Sequence, residues 1–231
     1  MKTAYTIAAV SVLLALVLYG KYEQDARAQA AITALQQEMA TVDQQLLSIA
    51  KNTSVPYRMP MDKTPLLQDY AVFSVGFPDH FHTAIDWRVP HGTPVYAIAD
   101  GIIRYADVKP DYAGLMIIDH PQDNLYSLYG HLSAPLGLKP VGPVKKGELL
   151  GYIASTKEGY LIGLYAHLHF SLRLGQWGDY PDTGESRWMA GYVEKHPIYH
   201  KWIDPEAFIQ LTQQLPAAMN PAINQETRTK P

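Results

Sequence analysis

Apolar positions along the chain fall into three successive patterns. Ala4 to Tyr19 is an uncharged stretch rich in Leu, Val and Ala, preceded by Lys2. It is short for a full membrane span of about 20 residues, and Gly20 and Tyr22 can extend it at an interface. Residues 1–20 therefore read as a signal anchor, a transmembrane helix that stays attached. The competing reading is a cleaved signal peptide. Ala26-Arg27-Ala28 offers a small-x-small site for that, but it lies beyond the apolar stretch and inside a helical pattern. On both readings the rest of the chain is exported.

The second pattern is helical. Ile32, Leu35, Met39, Val42, Leu46 and Ile49 alternate spacings of three and four, with mostly Gln, Thr, Ala, Asp and Glu between them. That is an a/d heptad seam, and it predicts a coiled-coil helix over residues 21–53. Such a helix would serve as a stalk and pair with a second copy as a homodimer. The plainer alternative is a helix packed along its own domain. Pro56 and its predecessor stop the helix, and residues 54–69, with Pro56, Pro60 and Pro65, read as a linker.

From Tyr70 the period shortens to that of strands. Runs at Val72–Val75, Pro94–Ala99, Ile102–Ala106, Leu115–Ile118, Leu125–Tyr129, Leu149–Ala154 and His167–Leu174 are punctuated by pairs such as Asp100-Gly101 and Lys146-Gly147. Many short strands and almost no amphipathic helix predict a mainly β fold, a compact antiparallel sheet domain over residues 70–210. Residues 211–231 carry Gln, Asn, Thr and Pro without period and read as a flexible tail.

Composition narrows the possibilities. An apolar content of 47% with 18% charged residues is that of a folded protein. A net charge of −3 without a Lys/Arg cluster argues against a nucleic-acid partner. Cysteine is absent, so any bound transition metal must be held by His and carboxylate.

The histidines supply candidates for that task. His167 and His169 are two apart in a predicted strand, so both face one side. His82 and Asp86 add an imidazole and a carboxylate at a four-residue spacing. A catalytic zinc needs three protein ligands and an open position. His82, Asp86 and His169 can fill that role and leave His167 to handle protons. His80 competes with His82, but only His82 has the spacing to Asp86. His91, His120, His196 and His200 match no ligand position and read as surface residues, and Asp119, before a turn, reads as structural.

The order of blocks goes further. His82-Thr-Ala-Ile-Asp86, Gly92-Thr-Pro-Val95, Tyr129-Gly-His131-Leu132 and His167-Leu-His169-Phe170 together resemble the lysostaphin-type (LytM-like) zinc endopeptidases, which cut peptide cross-links of bacterial peptidoglycan. The resemblance covers roughly residues 70–175. It places the metal ligands on His82, Asp86 and His169, and two unligated active-site histidines on His131 and His167. It also implies a zinc cofactor, peptidoglycan as partner, and a place in the cell envelope, with the peptidase domain on the outer side of the membrane. Ala84 stands where the family often has Gly. The segment Ser155 to Ala166 is longer and more apolar than the family's Thr-Gly-rich turn, a departure that bears on specificity.

The chain has no His-Glu-x-x-His helix, so no Glu is placed as general base. His167, beside a ligand on one strand face, is the expected base. His131 would stabilise the oxyanion or share proton transfer. An alternative function is a binding module without catalysis that activates cell-wall amidases through its coiled coil. Trp177, Tyr180, Trp188, Tyr192, Tyr199 and Trp202 crowd one segment, either as a stacking surface for sugars or stem peptides or, more economically, as a satellite core.

Overall fold

The computed structural model describes residues 2–53, 55–62, 65–74, 76–158 and 162–215. It divides the chain into two compact units, the first ending at Gln44 and the second beginning at Gln45. One helix, α1 (Lys2–Asn52), runs through the first unit and ends in the second. Its side chains are described from Val17 onward, so most side chains of the expected anchor are not among those described. Among the described residues no helix is long and apolar enough to cross a membrane. In the first unit the seam residues Ile32 and Met39 are exposed and Leu35 is half-buried.

The second unit is built on an antiparallel sheet of eight strands. Its path is β1 (Leu66–Gln68), β3 (Ile85–Arg88), β10 (His167–Leu174), β7 (Leu125–Leu132), β6 (Ala113–His120), β5 (Gly101–Lys109) and β8 (Gly142–Val144), with β12 (Trp202–Ile203) also paired to β10. Two small ribbons flank it, β2 (Phe81–His82) with β11 (Tyr192–Val193), and β4 (Pro94–Tyr96) with β9 (Leu149–Tyr152). Every residue of β6, β7 and β10 is buried. These strands are covered on both faces: β6 reads as a nearly continuous apolar run, whereas β10 alternates Leu and Phe with the buried polar residues His167, His169, Ser171 and Arg173.

One cover is the aromatic segment. Trp188 and Trp202 join Tyr112, Leu115, Ile117, Tyr126 and Leu128 in one cluster, with Trp177 and Tyr180 against it. At its centre is Arg173 of β10, fully buried, its guanidinium 3.5 Å from the Tyr180 ring centre and 4.5 Å from that of Trp202. Its donors go to main-chain carbonyls. Nε reaches His200 O at 2.7 Å, Nη1 reaches Arg187 O at 3.1 Å, and both Nη atoms reach Ser186 O at 3.3 Å. Arg173 therefore ties the segment to the strand that bears His167 and His169. Arg173→Leu would leave these carbonyls unpaired, and hydrogen bonds to a charged group contribute roughly 1.5–3 kcal/mol each. We expect a loss of at least ~3 kcal/mol in a denaturant titration.

Three parts of the fold differ from expectation. The predicted linker is clamped into the domain. Tyr57 and Met61 are buried, the Tyr57 hydroxyl donates to Asp123 Oδ2 at 2.6 Å, and its N–H donates to Thr212 Oγ1 at 3.1 Å. A short strand, β1, follows. Secondly, a helix α2 (Pro205–Gln214) closes the domain and enters the predicted tail, with Phe208, Ile209 and Thr212 buried. Asp204 caps it by accepting from Ala207 N, and Pro205 occupies the first turn, where its missing N–H costs nothing. The rest of the expected tail, 216–231, lies outside the described residues. Thirdly, His120 is a core residue and not a surface one. Its ring lies 2.9 Å from both Asp100 O and Ser127 Oγ, and burial lowers its pKa to about 4. Asp119 is structural in its contacts, accepting from Arg104 Nε and Trp177 N.

Candidate metal centre and groove

Sheet register brings the separated motifs together. In β10, His169 pairs with Asp86 of β3 on one side and with Gly130 of β7 on the other. Opposed residues of an antiparallel pair share a face, so the carboxylate and the imidazole meet across the strands. His82 arrives from β2, with two residues between it and the start of β3. His167, two positions from His169, faces the same side.

The result is a buried knot of donors. His169 Nδ1 lies 3.0 Å from Asp86 Oδ1, His82 Nε2 lies 3.5 Å from the same oxygen, and the two nitrogens are 3.3 Å apart. His167 Nε2 approaches the other oxygen, Asp86 Oδ2, at 3.5 Å. His82 Nδ1 lies 3.0 Å from Asp69 O, so this nitrogen carries the proton and Nε2 carries the lone pair. Asp86 Oδ1 is buried without a well-aligned hydrogen-bond donor. Lone pairs and a carboxylate directed at one point repel one another unless a cation stands between them. Two imidazoles and a carboxylate are a ligand set for a zinc-type ion, so His82, Asp86 and His169 fit a metal, and all three are buried.

The charge states agree with that reading. Burial, opposed by the Asp86 carboxylate, lowers His82 to about 4. Burial alone would raise Asp86, but His82, His169 and His167 hold it below the usual carboxylate range.

His131 lies beside the knot, its ring centre 4.4 Å from that of His167 and 5.8 Å from that of His169. Its backbone has φ +62°, a left-handed conformation rare outside glycine. Two main-chain bonds hold it there, His131 N–H to Tyr112 O at 2.9 Å and Ala154 N–H to His131 O at 2.8 Å. Its Nδ1 lies 3.1 Å from Tyr112 O, and His167 Nδ1 lies 2.8 Å from Tyr165 O. Both rings thus keep Nε2 as the lone-pair atom. Burial, with His167 and His169 next in weight, sets the His131 pKa well below its usual value.

Among the supporting residues, Tyr112 carries no signal in the sequence and Tyr192 stands out only within the crowded aromatic segment. The Tyr112 ring stacks on His131 and meets His169 edge-on, while its hydroxyl donates to Met189 O at 2.8 Å. Gly130 makes room for it, since a Cβ there would stand 2.7 Å from that ring. Tyr192 covers the His82 ring at 5.1 Å. Neither tyrosine has a fixed spacing to the ligands, so only the fold reveals them.

The site opens into a groove of about 760 Å³. Asp86, His131, His167 and His169 line it together with Tyr112, Tyr192 and Arg187. Leu164, in the segment that departs from the family pattern, is 88% exposed at its rim. His80 lines the groove as well, but groups with Glu185 and Glu194 rather than with the buried trio.

Comparison with known proteins agrees with this geometry. The DD-carboxypeptidase/endopeptidase Mpg of Neisseria meningitidis is 40% identical over 93 residues, 40% of this chain and 20% of that protein. The peptidoglycan DD-endopeptidase ShyA of Vibrio cholerae is 33% identical over 91 residues, 39% of this chain and 20% of that protein. The chain thus spans about a fifth of the length of these relatives. The antimicrobial peptidase lysostaphin from Staphylococcus simulans shares the fold, with a TM-score of 0.51 at 19% identity, over 72% of this chain and 58% of that one. Residues 80–180 match the sequence model of Peptidase family M23, a span that holds His82, Asp86 and His169.

Proposed function

We propose that the protein is a zinc-dependent endopeptidase that hydrolyses peptide cross-links of bacterial peptidoglycan. The observation that carries this is the convergence of His82, Asp86 and His169 at the floor of an open groove, with His131 and His167 next to them. Two of the relatives named above are peptidoglycan or D,D-peptide hydrolases by name, which supports the same substrate. His82, Asp86 and His169 would hold the metal. Zinc bound there lowers the pKa of water and polarises the scissile carbonyl.

The remaining work falls to two imidazoles. His167 presents Nε2 to the groove because Tyr165 O fixes the proton on Nδ1, and this Nε2 accepts the proton of the attacking water. The imidazolium so formed is a donor for the departing amine. His131 adjoins His167, and it steadies the oxyanion side or shares in proton transfer.

Residues 1–20 serve as the membrane anchor and the helix of residues 21–53 as a stalk, placing the enzyme in the cell envelope with its groove outside the membrane. The exposed seam residues Ile32 and Met39 suit pairing with a second copy.

The test is to incubate the full chain, loaded with zinc, with intact sacculi and to analyse new peptide termini by mass spectrometry. We expect cleavage that a chelator abolishes and added zinc restores. One bound zinc per chain without cleavage would overturn the enzyme reading and favour the amidase-activating module.

A further inference from the structure

Arg187 is a cation in the groove wall without an anion of its own. It is half-buried and lines the same cavity as Asp86, His131 and His167. Nη1 donates to Gly184 O at 3.1 Å, and among the described residues no carboxylate lies within ion-pair distance of the guanidinium. Arginine offers five donors in a planar fork, so most of its hydrogen-bonding capacity remains for a ligand.

The position is rigid as well as without a carboxylate partner among the described residues. Arg187 N–H closes a turn on Gly184 O at 3.2 Å, and the next residue, Trp188, is buried in the aromatic core. The buried Arg173 holds the carbonyls of Ser186 and Arg187. Two residues further, Met189 O accepts the hydroxyl of Tyr112, which packs against His131 and His169. The stem of Arg187 is therefore tied through short, saturated contacts to the same ring that supports the candidate metal centre. A donor fixed before the ligand arrives loses little entropy on binding.

From this arrangement we infer that Arg187 is a specificity-determining residue that receives a free carboxylate of the substrate, so the groove takes an acidic peptide. A guanidinium pairs with a carboxylate through two parallel N–H···O bonds, and partial burial strengthens them. Asp111 and Glu185 line the same groove. The inference deepens the hydrolase reading by naming the substrate feature that is read, but binding tests it without turnover.

The experiment uses the full chain stripped of metal, so that nothing is cut and no metal competes for the carboxylate. Its probes are a cross-linked muropeptide with free carboxylates and the same muropeptide with each carboxylate converted in turn to the carboxamide. Calorimetry should show one amidation weakening binding about tenfold to a hundredfold, the range for a charge-assisted bond. Arg187→Gln should abolish that discrimination without changing the melting temperature. Arg187→Lys should restore part of it, because charge returns without the fork. In the zinc-loaded enzyme the same amidation should raise KM and leave kcat nearly unchanged.

Equal binding of all muropeptides, discrimination that persists in Arg187→Gln, or no measurable binding would each overturn the assignment. Cleavage without discrimination would sink this inference and leave the hydrolase reading standing. Discrimination without cleavage on adding zinc would do the reverse.

Discussion

His169→Ala is expected to abolish stoichiometric metal binding and, with it, all hydrolysis. Three atoms meet at the candidate centre, and His169 Nδ1 is the closest of them to Asp86 Oδ1. Removing it leaves His82 and Asp86, two ligands where a catalytic site needs three. Loss of a mere supporting partner around a metal ligand costs roughly 10–100-fold in affinity, so loss of a ligand itself should exceed that. Metal content after dialysis against a weak chelator should fall from one equivalent to a small fraction. His80→Ala serves as the control. His80 belongs to a grouping with Glu185 and Glu194 that is half-buried to exposed, and its removal should leave one metal per chain. A melting curve separates this effect from unfolding, since the sheet around β10 is held by main-chain bonds that the substitution leaves in place. One full equivalent of zinc in His169→Ala, lost instead in His80→Ala, would move the centre to the groove wall.

What the sequence revealed and what it hid follow from the range of the forces involved. The central strands were legible because β6 and β7 are apolar at most positions, and because in β10 Leu and Phe alternate with polar residues at the strand period. The meeting of Asp86 with His169 was legible for a related reason: local spacing placed each side chain, and the motifs supplied the pairing. β3 was not read as a strand, since it has only four residues and its centre is the buried Asp86. α2 carried a usable signal in Asp204-Pro205-Glu206, a cap followed by proline, which the surrounding aromatic residues obscured. Residues 55–62 looked like a linker because their prolines exclude regular structure. The burial of Tyr57 depends on Asp123 and Thr212, far along the chain. His120 looked like a surface residue for the same reason: its partners, Asp100 O and Ser127 Oγ, come from neighbouring strands. Tyr112, Tyr192 and Arg187 complete the groove from loops and a short edge ribbon, where tertiary contacts decide position and no periodicity marks it. Binding residues on connections held by a rigid scaffold are, in general, the ones least visible to pattern.

His167→Ala should separate chemistry from metal binding. His167 Nε2 faces Asp86 Oδ2 at 3.5 Å, whereas the trio converges on Oδ1. The ring is therefore beside the candidate ion without being needed to hold it, and the variant should retain one zinc per chain. Its loss removes the acceptor for the water proton, and a positioned general base contributes roughly 10²–10⁴-fold to rate. We expect kcat on a cross-linked muropeptide to fall by about that factor with KM little changed. His131→Ala should also retain zinc, but it perturbs more than proton transfer. The left-handed turn at His131 is held by main-chain bonds to Tyr112 and Ala154, and its ring supports Tyr112. Its kcat loss should therefore come with a lower melting temperature, while His167→Ala melts near the parent protein. Asparagine at position 167 keeps a polar side chain of similar size that cannot act as a base, and should be as slow as alanine. Full turnover in both position-167 variants would remove His167 from the proton path and leave His131 as the base. Loss of zinc in both would show that His167, and not one of the trio, completes the ligand set.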